Sequence, residues 1–249
     1  MDKVSIAAAL GLAMAMSPIA AVKAAELKVI AGGSMTASLK ELGPRFEKAT
    51  GHKLDMTFAA TPELIKMATS SPFDLGVVPV DVMKDEAARG KFAGTPATIA
   101  RVRYGVAVKA GAPKPDVSTP DALKATLLKA QSITFLPASA AGAYVLKVFD
   151  RLGIADAMKA KTKVQTVPGE IPKAVASGEA ELGVFLTNVL LAPGVELAGP
   201  FPGDLQQELV FVGAPAADSK DAAAAKAFLD YLKTPEAVSV FKAKGVTPG

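Results

Sequence analysis

The feature that most constrains this chain is a rhythm. Short apolar runs of strand length alternate with amphipathic stretches, and several of those stretches begin with a recognisable start signal. Thr61-Pro62-Glu63, Thr119-Pro120-Asp121 and Thr234-Pro235-Glu236 share one pattern. In each, a hydroxyl is placed to accept a hydrogen bond from the first turn, a proline has its φ already set for the first helical position, and an acid faces the positive end of the helix dipole. The triplets therefore predict helix starts at three points.

Apolar runs at residues 27–30, 54–58, 73–80 and 99–108 predict strands. Between the first two, Leu39, Leu42 and Phe46 recur at helical spacing and Gly51 ends the helix, which Gly43 and Pro44 are expected to kink. Residues 82–89, closed by Gly90, predict another helix. After a loop at residues 111–120 come a helix to 130, a strand at 133–136 and a helix from 141 whose Val145, Val148, Phe149 and Leu152 form one stripe. A strand at 164–167, a helix at 173–177 and a strand at 182–186 complete this second set. A strand at 208–212 and a terminal helix with Ala225, Phe228, Leu229 and Leu232 on one face then return the chain to the first lobe. Alternation of this kind predicts an α/β protein with largely parallel sheets and ligand sites beyond the carboxyl ends of the strands. The return predicts a clamshell with two connections, near 99–108 and 200–212. Residues 25–103 and 205–249 then form lobe I, and residues 104–204 form lobe II.

The N-terminus has a different chemistry. Residues 4–22 carry no charge; Lys3 precedes them, Ser17 and Pro18 interrupt them, and Val22 and Ala24 offer small side chains to a signal peptidase. Residues 1–24 are therefore read as a signal peptide cleaved after Ala24, which sends the mature chain to the periplasm. The chain of 249 residues has no Cys and a single His, His52, so disulfides, thiol-linked lipid anchors, zinc sites and Ser/His or Cys/His pairs all lack their parts. A formal net charge of +4 falls short of a nucleic-acid footprint. No cofactor, metal or nucleic-acid partner is expected, and the chain is expected to act as a monomer.

Three strand-to-helix turns are built for close approach to an anion: Gly32-Gly33-Ser34, Ala60-Thr61 and residues 139–142. Small residues let backbone N–H groups reach a ligand, and helix N-termini present unpaired donors with positive partial charge. The alternative role for Ser34 and Thr61 is ordinary N-capping. The spacing of glycines fits neither a P-loop nor a dinucleotide fingerprint. On the run 99–108, alternation places Arg101 and Arg103 on one face and Tyr104 on the other. Such an arginine is either solvated or clamps a carboxylate through two parallel bonds. Glu63 and Glu170 fall at helix starts, where an acid favours the dipole.

The stretches "IAGGSMTASLKELGPRFEKATG", "FAATPELIKMATSSPFDLGVVPVDVM" and "AKAFLDYLKTPEAVSVFKAKG" resemble, in order and spacing, the periplasmic molybdate-binding proteins of ABC importers. The resemblance implies a two-lobed type II periplasmic-binding fold with a two-strand hinge, a ligand in the cleft and a membrane permease as partner. In that family two hydroxyls, two backbone N–H groups and a tyrosine hydroxyl hold a tetrahedral oxyanion. The resemblance carries the hydroxyls onto Ser34 and Thr61, the N–H groups onto Ala141 and Ile171, and the tyrosine position onto Leu186, with Phe185, Thr187 and Asn188 beside it. Losing a buried donor costs about 1–3 kcal/mol, so the departure at Leu186 predicts a less symmetrical anion, an organic carboxylate with Arg103 as a candidate partner. The stretch "GAPKPDVSTPDALKATLLKAQSI" is similar to periplasmic aconitate isomerases, relatives with the same fold. They supply the alternative, an isomerase of a tricarboxylate with Glu63, Glu170 or Tyr104 as candidate bases.

Overall fold

The structure is a computed structural model that describes residues 24–249; the expected signal peptide at residues 1–24 lies, but for Ala24, outside the described residues. In chain order the elements are β1 (Glu26–Gly32), α1 (Thr36–Thr50), β2 (Lys53–Ala59), α2 (Thr61–Ser70), β3 (Leu75–Pro79), α3 (Glu86–Arg89) and β4 (Ala97–Lys109). There follow α4 (Pro120–Lys129), β5 (Ile133–Phe135), α5 (Ala140–Arg151), α6 (Ala155–Lys161), β6 (Thr162–Val164), α7 (Glu170–Ser177), β7 (Leu182–Leu186), α8 (Thr187–Leu190) and β8 (Val195–Pro200). The chain closes with β9 (Glu208–Pro215), α9 (Ala222–Tyr231), α10 (Pro235–Ala243) and β10 (Thr247–Pro248), and short 3-10 turns occupy Gly33–Met35, Val80–Lys84 and Gly203–Leu205.

The strands form two sheets that share β4. The first runs β2-β1-β3-β9-β4, with β10 also on β4; the second runs β4-β7-β5-β6, with β8 also on β4. The N-terminal half of β4, through Arg103, pairs with β9, and from Tyr104 onward the strand pairs with β7 and β8. One strand thus leaves the first lobe and enters the second without a break. Both sheets are mixed rather than largely parallel: β1 pairs in parallel with β2 and β3, and β5 with β6 and β7, while β9, β7 and β8 run antiparallel to β4. The reason is topological. β9 carries the chain back where β4 carried it out, so side by side they must point in opposite directions.

Strands buried on both faces read as unbroken apolar runs, and all residues of β3, β5 and β7 are buried. In the first lobe Leu39, Leu42 and Phe46 bury the inner face of α1, and Phe46 meets Phe228 of α9 edge to face at 5.0 Å. The helix expected to be terminal is α9, with α10 after it, and it packs on the first lobe, as its stripe of Ala225, Phe228 and Leu229 requires. Each such side chain contributes about 1.5–3 kcal/mol of burial free energy. Gly43 and Pro44 lie within a continuous α1. A Cβ at Gly43 would fall 2.5 Å from the Met56 Cε, so glycine lets the helix settle onto β2. In the second lobe Val145, Val148 and Phe149 are buried, and Phe149 packs edge-on against Phe135 at 5.7 Å.

The crossing between lobes is held by one side chain. At the point where β4 changes sheets, the Tyr104 N–H donates to Gln206 Oε1 at 2.9 Å, and Gln206 Nε2 donates to the Tyr104 carbonyl at 2.9 Å and the Phe201 carbonyl at 3.2 Å. The amide continues the strand ladder where no strand is available. Tyr144 on α5 donates to the Leu205 carbonyl at 2.8 Å, and Arg151 pairs with Asp204. At the start of the described chain the Ala25 N–H donates to His52 Nδ1 at 3.1 Å, which gives the sole histidine a structural partner.

Candidate functional site

The carboxyl ends of β1, β2 and β3 meet those of β5 and β7 across the lobes, and a cavity of about 20 Å³ lies between them. Gly32, Gly33, Ser34, Ala60, Thr61 and Pro79 line it from the first lobe; Leu136, Ser139, Ala140, Ala141, Pro168 and Phe185 line it from the second. Three of the residues singled out from sequence, Ser34, Thr61 and Ala141, are therefore brought together. No titratable side chain lines this cavity.

The turns divide by what their hydroxyls do. Ser139 is a true cap: its hydroxyl accepts from the Gly142 N–H at 2.9 Å and donates to the Leu136 carbonyl at 2.9 Å. Gly142 is needed there, because a Cβ would sit 1.9 Å from the Leu136 carbonyl oxygen. Thr61, expected to cap α2, does not do so. The cap position belongs to Ala60, with no side-chain bond. Thr61 Oγ1 instead accepts the Ala140 N–H, the first of α5 in the opposite lobe, at 3.0 Å. Ser34 sits in the 3-10 turn ahead of α1, whose cap position is Met35 and likewise lacks a side-chain bond. Two hydroxyls thus face the cleft free of capping duty. Among the described residues no acceptor takes the Ala141 N–H, which lies in the same first turn of α5, where the helix dipole is positive.

The other sequence-derived candidates lie elsewhere. Ile171 is fully buried and its N–H donates to the Pro168 carbonyl at 3.1 Å, so Pro168 rather than Ile171 meets the cavity. Leu186 is paired with Tyr104 in the ladder, and its neighbour Phe185 faces the cavity, because successive strand residues point to opposite faces. Arg103 is exposed opposite Glu208, which also approaches Arg101 at 3.9 Å. Glu63 pairs with Lys66 at 3.7 Å, and Glu170 with Lys173 at 2.8 Å. Tyr104 is buried against Phe201 and Tyr144; burial, reinforced by Asp81, pushes its phenol far above the usual value of 10.0.

Asn188 has a role that its position beside Leu186 did not reveal. Its Nδ2 donates to the Ser34 carbonyl at 2.7 Å, a second bond across the lobes. A carbonyl accepts only, so the amide nitrogen must face it. The Oδ1 is left buried without a partner.

This geometry has known counterparts. A family model described as "Bacterial extracellular solute-binding protein" matches residues 27–247. The chain belongs to that family. An aconitate isomerase of Pseudomonas sp is 33% identical over 248 residues, covering 95% of this chain and 94% of that protein. The molybdate-binding protein ModA of Azotobacter vinelandii is 31% identical over 232 residues, covering 90% and 91%. Among solved structures, the periplasmic molybdate-binding protein of Azotobacter vinelandii superposes with a TM-score of 0.74 at 21% identity, covering 90% of this chain and 99% of that one. The architecture is the two-lobed type II periplasmic-binding fold, with β4 and the return through Gln206 as its two connections.

Proposed function

We propose that this protein is a periplasmic solute-binding protein that closes its lobes on a small organic carboxylate and presents it to an ABC permease. The observation that carries the reading is the Thr61 Oγ1 to Ala140 N–H bond of 3.0 Å. A hydroxyl from one lobe and a helix N-terminus from the other already meet where an anion's oxygen would bridge them. Thr61 keeps its own hydrogen to donate, and Ser34 and the Ala141 N–H complete a set of neutral donors. The moving bodies are residues 25–103 with 205–249, and residues 104–204. Neutral donors and helix dipoles hold an anion while leaving it free to depart toward the permease.

The Pseudomonas relative favours a second reading, isomerisation of an aconitate-like acid. Moving a proton requires a base within hydrogen-bond reach of the bound substrate, and Glu63, Glu170 and Tyr104 do not line the cavity. That supports binding over catalysis. A thermal-shift panel of molybdate, tungstate, sulfate, hexanoate, citrate and aconitate tests the assignment, with aconitate mixtures followed by nuclear magnetic resonance. A true ligand at about a hundred times its Kd stabilises by about 2.7 kcal/mol. Carboxylates are expected to raise Tm and to be recovered unchanged. Stabilisation by molybdate alone would overturn the carboxylate assignment, and a trans product from cis-aconitate would establish the isomerase.

A further inference from the structure

Beside the cavity, on the same cleft, lies a groove of about 640 Å³, a volume typical of small-molecule sites. Gly33, Ser34 and Pro168 line both spaces, so the two adjoin, separated by the seam where Gly33 meets Pro168 and Asn188 bonds the Ser34 carbonyl. The groove takes walls from both lobes, with Phe58 from the first and Val167, Pro172, Val189 and Leu191 from the second. Val167 and Leu191 are 50% and 53% exposed, and they are two of the five large apolar side chains left exposed among the described residues. Apolar surface left open in a cleft marks a place that something covers. The one charged side chain of the lining, Lys173, is paired with Glu170 at 2.8 Å.

From this contrast we infer that the ligand is an amphipathic monoanion: one carboxylate head at Ser34, Thr61 and Ala141, and an unbranched or ring-bearing hydrocarbon body in the groove. The inference rests on the proposed binding role. The cavity of about 20 Å³ has room for roughly one water-sized group, hence for a single head. Once that seam parts, anything larger extends into the adjoining groove. There an apolar body gains burial, whereas a second or third carboxylate loses hydration with no free cation to meet it. Citrate and aconitate are therefore poorer ligands than a monocarboxylate of similar size.

Calorimetry of the mature chain with butyrate, hexanoate, octanoate and citrate reads this directly. Affinity is expected to tighten about fourfold per methylene until the groove is filled, with citrate weaker than hexanoate. Val167→Asn and Leu191→Asn, both at half-exposed positions that leave the fold intact, should weaken octanoate about fourfold or more and butyrate much less. Ser34→Ala should weaken the whole series alike. An affinity that does not change with chain length, but still depends on Ser34, would overturn the amphipathic ligand while keeping the anion site. Tightening that survives Ser34→Ala together with Thr61→Val would also overturn it, as adsorption without the head site. If neither the series, citrate nor the inorganic oxyanions bind, the binding role itself falls.

Discussion

Thr61 and Ser34 line the cleft with hydroxyls that their own helices do not use, although Thr61 accepts the first N–H of α5, and their removal tests binding. Neither caps its own helix, so Ser34→Ala combined with Thr61→Val should leave α1 and α2 almost unchanged and free only the Ala140 N–H of α5. Ligand affinity should fall by about 1–3 kcal/mol for each hydroxyl lost. Titration calorimetry beside a melting curve separates the two effects; a large drop in Tm would mean the hydroxyls are structural after all. The three tyrosines provide a pH test. Burial is the leading cause that raises the phenols of Tyr104, Tyr144 and Tyr231 above 10.0. Folding thus favours the neutral form. The stability this adds is fully present below the unfolded value near pH 10 and is lost as pH rises through the folded values. Absorbance titration should show less phenolate at pH 10 in the native chain than in urea, and equal phenolate in both would refute the burial argument.

Among the elements, the doubled role of β4 sets the mechanics. β4 changes partners between Arg103 and Tyr104, and Gln206 bridges that point with three hydrogen bonds. Gln206→Leu keeps the volume and deletes the bonds, leaving the Tyr104 N–H unpaired while the Tyr104 carbonyl keeps the Phe201 N–H at 3.0 Å. Urea unfolding should show a loss of about 1–3 kcal/mol. An unchanged midpoint would mean that water replaces the amide. The element pattern was largely legible beforehand. The run 182–186 coincides with β7, and Thr119 and Thr234 cap α4 and α10 as their triplets predict. What escaped was α6, α8, β8 and β10. α8 spans only four residues, too few for a helical period to declare itself, and β8 is half-exposed with no clean alternation.

At the scale of the whole molecule the lobes are shut by contacts that substitutions can remove. Thr61 to Ala140 and Asn188 to Ser34 are the bonds, and Gly33 lies close beneath Pro168. Closure also leaves the Asn188 Oδ1 buried and unpaired, a cost of about 1–3 kcal/mol that disappears when the cleft opens to water. Two conformations of similar free energy are the expected result, with ligand tipping the balance. Small-angle scattering should give a smaller radius of gyration with saturating ligand, and Thr61→Val should enlarge it without ligand. Tight binding without compaction would place the site within one lobe.

Caps, turns and apolar periods depend on residues a few positions apart, and that is why the sequence by itself determined most of the order of elements, the two-lobed plan and the three strand ends that carry Ser34, Thr61 and Ala141. Tertiary structure alone decided which hydroxyl caps its own helix and which reaches across. Thr61 and Ala140 are 79 positions apart, Ser34 and Asn188 154, and Tyr104 and Gln206 102. A hydrogen bond depends on distance and angle in space, and no local pattern encodes either for partners so far apart in the chain.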